Sequence, residues 1–179
     1  MPPVRVALLT CSDKGAAGAR EDASGDLAAA RLHGAGHVLA ARALVPDDRP
    51  AIAAQLRAWC DDGVADVVVT TGGTGLSPRD ITPEATRDVA ERDVPGLPVA
   101  LWLEGLKKTP YAVLSRGIAV TRGRTLIVNL PGNPKAVAEG LDVLLPLLPH
   151  IRDVLGLPVE HRTDADTGHS SPPVTTAKG

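Results

Sequence analysis

Phenylalanine is missing from the 179-residue chain, and its aromatics are two tryptophans and one tyrosine. The core must therefore be aliphatic, built from Val, Leu, Ile and Ala. Aromatic platforms of the kind that stack RNA or single-stranded DNA bases are not expected. A charge excess is also missing: 19 Lys and Arg stand against 21 Asp and Glu, for a net charge of −2. That balance leaves no overall basic footprint for nucleic acid. The two cysteines, Cys11 and Cys60, have no C-x-x-C pairing and no histidine partner, so neither a disulfide framework nor a zinc site is expected. No apolar run approaches the roughly 20 residues of a membrane span. The opening "MPPVRVALLTCSD" is unlike a signal peptide. A soluble cytoplasmic protein follows, with neither nucleic acid nor membrane as partner.

Hydrophobic residues make up 44% of the chain, enough for one domain with a substantial core. "VRVALLT" (4–10) and "ADVVVTT" (65–71) are aliphatic runs of strand length, suited to strands buried on both faces. "HVLAARALVP" is a further strand candidate. "SGDLAAARLHGAG" reads as a helix with Ser24 or Asp26 near its cap. In "DDRPAIAAQLRAWCDDG", Ile52, Leu56, Trp59 and Cys60 share one helical face, and Asp47 or Asp48 stands at its start. A helix is expected from about Thr82, with Pro83 in its first turn, and another from about Leu97. "AVLSRGIAVTRGRTLIVNLPGNP" supplies two extended runs around "TRGR", the pattern of a hairpin. "KAVAEGLDVLLPLLPHIRDVLG" is helical with a proline-marked irregularity. Strands alternating with helices predict an α/β fold of three layers: a mostly parallel sheet, helices on both faces and an antiparallel edge hairpin. The domain is expected over 1–157, and the polar segment 158–179 is expected to be a flexible or surface-laid tail.

Ligands of such sheets sit at the carboxyl ends of the strands. The loops there are "CSDKGAAGAREDASG", "VPDDR", "TTGGTGLSPRD" and "NLPGNP", all rich in Gly, Ser, Thr, Asn or Asp. Glycines let backbone amides approach an anion, so phosphate is the natural guest. Neither the P-loop nor the dinucleotide fingerprint fits, because no Gly-Lys-Ser/Thr ending follows and Pro78 stands where a third glycine is needed. Asp22, Asp47 and Asp80 fall in or beside these loops. Each could simply cap a helix. Around a phosphate, though, carboxylates repel the ligand unless a cation intervenes, and Mg²⁺ suits one or two carboxylates plus phosphate oxygens. Such a site fits phosphoryl or nucleotidyl transfer. No serine lies in a G-x-S-x-G setting, and no histidine has an evident serine partner. Arg79 and Arg116 flank the loops, either as solvated charges or as anion contacts.

"TTGGTGLSPRDITPEAT", "TPYAVLSRG" and "LIVNLPGNPKAV", with "TCSDKGAAGAREDASG" and "VPDD" before them, resemble the molybdopterin adenylyltransferases of molybdenum cofactor biosynthesis. The likeness extends from about Val4 to Gly156 and includes the stand-alone bacterial enzymes and the corresponding domain of gephyrin. It implies an enzyme that transfers AMP from Mg-ATP to the terminal phosphate of molybdopterin and releases pyrophosphate. It also implies a homotrimer whose product passes to a molybdate-inserting partner enzyme. On the matching positions, phosphate- and pterin-holding groups fall on Ser12, Gly72, Gly73, Thr74, Gly75, Ser115, Asn129, Pro131, Gly132 and Asn133. Acidic residues fall on Asp22, with the substrates, and on Asp47 and Asp80, as catalytic groups and Mg²⁺ ligands. The chain departs from the family pattern at Pro98, Val99 and Trp102, where Ala-Glu and Arg are frequent. A non-catalytic molybdopterin-binding or carrier protein of the same fold is the alternative, and a shared fold does not decide between them.

Overall fold

Strand β1 (Arg5–Cys11) is buried from Val6 onward and mostly aliphatic there, as suits a strand that helices cover on both sides. Its alternation assigns each residue to a layer: Val6 and Leu8 enter one core, and Ala7, Leu9 and Cys11 the other. The computed structural model describes residues 2–156, so the expected tail over 158–179 lies outside the described residues. After β1 come α1 (Asp13–Ala16), α2 (Ala23–Gly34), β2 (Val38–Val45), α3 (Arg49–Asp61), β3 (Val67–Thr71), α4 (Thr82–Arg87) and β4 (Arg92–Asp93). Then follow α5 (Gly96–Leu106), a 3-10 turn at Pro110–Leu114, β5 (Ala119–Arg122), β6 (Thr125–Leu130), α6 (Pro134–Leu144) and α7 (Leu148–Gly156).

The strands form one sheet in the order β2-β1-β3-β6-β5-β4. The first four pair in parallel, while β5 and β4 join antiparallel, which is the expected mostly parallel sheet with an antiparallel edge. Helices α2, α5, α6 and α7 cover one face through Leu32, Leu97, Leu141 and Leu148. Helices α3 and α4 cover the other through Ile52, Leu56 and Ala85. The three-layer expectation holds.

Some local expectations sharpen and others shift. The cap of α2 is Asp22, whose side chain accepts from the Gly25 amide. Ser24 instead donates to Gly132 O at 2.6 Å, and Asp26 pairs with Arg42. Helix α3 is capped by Asp48 rather than Asp47. The first extended run begins only at Ala119, since Thr109 caps a 3-10 turn in which Pro110 occupies the first position. Pro146 turns the expected irregularity into a 3-10 turn, Leu145–Leu147, between α6 and α7. Elements α1 and β4 were not expected: at four and two residues they are too short to show a period.

Candidate functional site

Parallel pairing puts the carboxyl ends of β1, β3 and β6 side by side. Thr10 stands opposite Thr71, and Thr71 opposite Leu130, so the three following loops leave the sheet at one level. Gly72 and Gly73 have φ of +93° and +64°, a region that disfavours side chains. A Cβ at Gly72 would strike the Cys11 carbonyl, and one at Gly73 would strike the Thr82 hydroxyl. Gly132 backs onto the same loop, its would-be Cβ 3.0 Å from Gly72 Cα. Among the described residues, the amides of Gly73, Thr74 and Gly75 donate to no protein acceptor. Unpaired amides of this kind suit an anion, and Gly75 lines a cavity.

Two cavities adjoin this loop. A polar one of about 290 Å³ is bounded by Ser12, Arg20, Asp22, Gly72, Gly132 and Asn133. A second of about 500 Å³ opens beside α5, between Gly75, Trp102, Tyr111, Ser115, Pro131 and Asn133. Asn133 borders both and caps α6 by accepting from the Ala136 amide at 2.8 Å.

Asp47 sits on the loop before α3 and exchanges hydrogen bonds with Asp13 in α1. The Asp13 amide donates to Asp47 Oδ2 and the Asp47 amide to Asp13 Oδ1, both at 3.0 Å. Its other oxygen, Oδ1, is buried without a partner, as is the neighbouring Thr82 hydroxyl. Burial raises the Asp47 carboxyl above its ordinary range, and the adjacent Asp13 and Asp80 charges push the same way. Asp13 goes the opposite way, held low chiefly by its hydrogen bond from Arg79. Asp80 accepts from the Ser77 amide at 2.9 Å through Oδ2. Among the described residues no three His, Cys, Asp or Glu side chains gather as a metal cage. Burial also pushes the Cys11 thiol up to about 12, so it stays protonated at neutral pH.

Other expected site residues are occupied by the fold. Asp22 accepts from the Gly25 amide at 2.9 Å, from the Thr10 hydroxyl at 2.8 Å and from Arg42 at 2.7 Å. Asn129 is 2% exposed. Its Nδ2 donates to Thr70 and Thr86 hydroxyls, each at 2.9 Å, and its Oδ1 accepts from the Ile118 amide at 3.2 Å. Both line a cavity. Their side chains nevertheless act first as braces between segments far apart in sequence. Arg116 likewise braces rather than waits for an anion: it donates to Gly75 O at 2.7 Å, to Asp80 O and to Glu84. Ser12 caps α1 through the Gly15 amide at 3.1 Å, and Ser115 faces Thr74. Sequence reasoning missed Asp13, Arg20, Thr82 and Tyr111. Asp13 and Arg20 lay within a loop already singled out, and Thr82 and Tyr111 within motifs quoted for the family likeness, but nothing local marked their place at the site.

A glycine-lined junction with unpaired amides at the carboxyl end of a mostly parallel sheet, with acidic side chains beside it, marks an α/β protein of the kind whose ligands sit beyond the strand ends, and its chemistry suits a phosphorylated one. The model of the family described as "Probable molybdopterin binding domain" matches residues 7–150. The chain belongs to that family. It is 38% identical over 164 residues to the molybdopterin adenylyltransferase of Helicobacter pylori strain J99, covering 87% of this chain and 89% of that one. It is 48% identical over 113 residues to the molybdenum cofactor synthesis protein cinnamon of Drosophila melanogaster, covering 63% of this chain but only 19% of the fly protein. Among solved structures, the molybdopterin biosynthesis enzyme MoaB of Thermus thermophilus superposes with a TM-score of 0.80 at 51% identity, covering 87% of this chain and 98% of that one. A MogA structure superposes with a TM-score of 0.79 at 39% identity, covering 84% and 99%.

Proposed function

We propose that this chain is a molybdopterin adenylyltransferase of molybdenum cofactor biosynthesis, working as a cytoplasmic homotrimer. The observation that carries the reading is the pair of adjoining cavities that meet at the glycine loop. Two substrates can sit side by side with their phosphates at one set of open amides. In the reaction an oxygen of the molybdopterin phosphate attacks the α-phosphorus of ATP. The bond to the β-phosphate oxygen breaks, and pyrophosphate leaves with its electron pair.

Positioning and charge neutralisation supply most of the catalysis in such a transfer. The amides of Gly73, Thr74 and Gly75 donate to phosphate oxygens, and the hydroxyls of Ser12 and Ser115 stand at the margins of the two cavities. Asn129 and Arg116 hold the loop in shape from behind. Asp47 and Asp80 fit a magnesium ion, because Asp47 has a buried oxygen without a partner and Asp80 commits only Oδ2. A magnesium ion held by these two carboxylates would complete its coordination with phosphate oxygens and water. Bound there, Mg²⁺ supplies neutralisation of the triphosphate charge. The product then passes to a molybdate-inserting enzyme.

The test is incubation with molybdopterin, ATP and Mg²⁺, following pyrophosphate and the mass of the pterin product. An AMP adduct dependent on both substrates is expected. Asp80→Asn should bind pterin much as the parent does while losing turnover strongly. Tight pterin binding with no adduct in the parent protein would favour the carrier reading instead.

A further inference from the structure

Among the described residues, Asp47 makes every one of its hydrogen bonds with Asp13. Its amide donates to Asp13 Oδ1, and its Oδ2 accepts from the Asp13 amide. The two residues stand 34 positions apart on different loops, so this clasp is a tertiary contact. It fixes the Asp47 backbone and one carboxylate oxygen, and it leaves Oδ1 buried without a partner. Asp80 is held in another way. Its Oδ2 accepts from the Ser77 amide, its own amide donates to Ser77 O, and its carbonyl accepts from Arg116. The glycine loop therefore shapes itself around Asp80, while Asp47 depends on a neighbour.

One side chain joins the two loops. Arg79, next to Asp80, donates Nε to Asp13 Oδ2 at 3.1 Å and Nη2 to the same oxygen. Asp13 thus gives Oδ1 to the loop of Asp47 and Oδ2 to the loop of Asp80. Its charge is met by the Arg79 guanidinium, whereas Asp47 and Asp80 take part in none of the ion pairs of the described residues. Those two carboxylates keep their charge for a cation, and Asp13 spends its own on a brace. Mg²⁺ demands near-ideal octahedral geometry, so two ligands on separate loops need their separation fixed. We infer that Asp13 is a positioning residue for the metal, aiming Asp47 and, through Arg79, setting how far Asp47 stands from Asp80. This deepens the adenylyltransferase reading and rests on it for the magnesium ion.

The probe is Mn²⁺ alone, which suits the same oxygen ligands as Mg²⁺ and reports its own binding by electron paramagnetic resonance. It is titrated into the full chain and into variants, with Asp80→Asn defining the share of binding that belongs to this site. Loss of a hydrogen-bond partner behind a metal ligand typically costs about tenfold to a hundredfold in metal affinity, and Asp13→Ala should weaken that share within this range. Asp13→Asn keeps an acceptor for the Asp47 amide and should bind Mn²⁺ more tightly than Asp13→Ala. Arg79→Ala should weaken binding in the parent yet add no loss in the Asp13→Ala background, because Arg79 acts through Asp13. The two side chains are 43% and 66% exposed, so unfolding midpoints should match the parent. Unchanged Mn²⁺ affinity in Asp13→Ala would overturn the inference, and so would a further loss from Arg79→Ala in that background. Mn²⁺ binding indifferent to Asp80→Asn would overturn it together with the metal assignment. Transfer of AMP is a separate readout: its absence in a parent whose Mn²⁺ affinity depends on Asp13 would remove the enzyme reading and leave the positioning role in place.

Discussion

Gly73→Ala isolates the physical demand at the centre of the site. Gly73 has φ of +64°, where an alanine costs about 1–2 kcal/mol in backbone strain. The new Cβ would also run into the Thr82 hydroxyl, and it would lie 3.3 Å from Thr82 Cβ and 3.4 Å from Asp47 Oδ1. Thr82 is fully buried and begins α4, so it cannot swing aside. Overpacking of this kind adds about 1–3 kcal/mol, for a total of about 2–5 kcal/mol. In urea, with a slope of about 2 kcal/mol/M, the unfolding midpoint should fall by about 1 M or more. Thr82→Ala supplies the control, because it removes both the obstructing oxygen and a buried hydroxyl that has no partner. In that background Gly73→Ala should cost only the strain, leaving a coupling of about 1–3 kcal/mol between the two sites. An equal cost in both backgrounds, or a cost below about 1 kcal/mol in the parent, would refute the steric account.

Three further outcomes are expected. Asn129→Ala strands the hydroxyls of Thr70 and Thr86 and the Ile118 amide, and should cost about 2–4 kcal/mol, read as a thermal midpoint lowered by about 5–15 °C. Glu84 is held below its ordinary 4.5 by its hydrogen bond from Arg116, so its contribution is present above that pH and is lost as pH falls through the lower folded value. Glu84→Gln should therefore show a smaller decline in stability over that acid range than the parent in pH-dependent unfolding. Asp47 is shifted the other way, which means that its ionisation opposes folding as pH rises above its ordinary 3.8. Asp47→Asn should lower turnover yet gain stability relative to the parent as pH goes from 4 to 7, and a gain independent of pH would contradict the burial argument.

Much of the fold was legible because its signals are local. The aliphatic runs of β1 and β3 declared buried strands, and Ile52, Leu56, Trp59 and Cys60 marked the inner face of α3. The loops of the site stood out by glycine and hydroxyl content, and the parallel order of β1, β3 and β6 then placed them together, as strand alternation implies. Element β4 escaped because its existence depends on pairing Asp93 with Val120, a contact across 27 positions of chain read from the register. Asp22 and Asn129 carried the right composition for ligand contacts, but their partners Arg42, Thr70 and Thr86 lie 20, 59 and 43 residues away.

The sequence by itself determined the aliphatic core, the sheet class, the glycine loops and the placing of Asp47 and Asp80 beside them, because periodicity and turn chemistry act over a few residues. Only the tertiary structure decided which polar groups remain available. Asp22, Asn129 and Arg116 have their hydrogen bonds taken by distant segments, while Asp47 Oδ1, Thr82 Oγ1 and the amides of Gly73 to Gly75 are left without protein partners among the described residues. The same holds for Trp102 and Tyr111, which share one cavity because Gly105 lets α5 and the 3-10 turn close on each other. Whether a buried polar group is satisfied depends on every element packed around it, and that packing is set by long-range contacts rather than by its sequence neighbours.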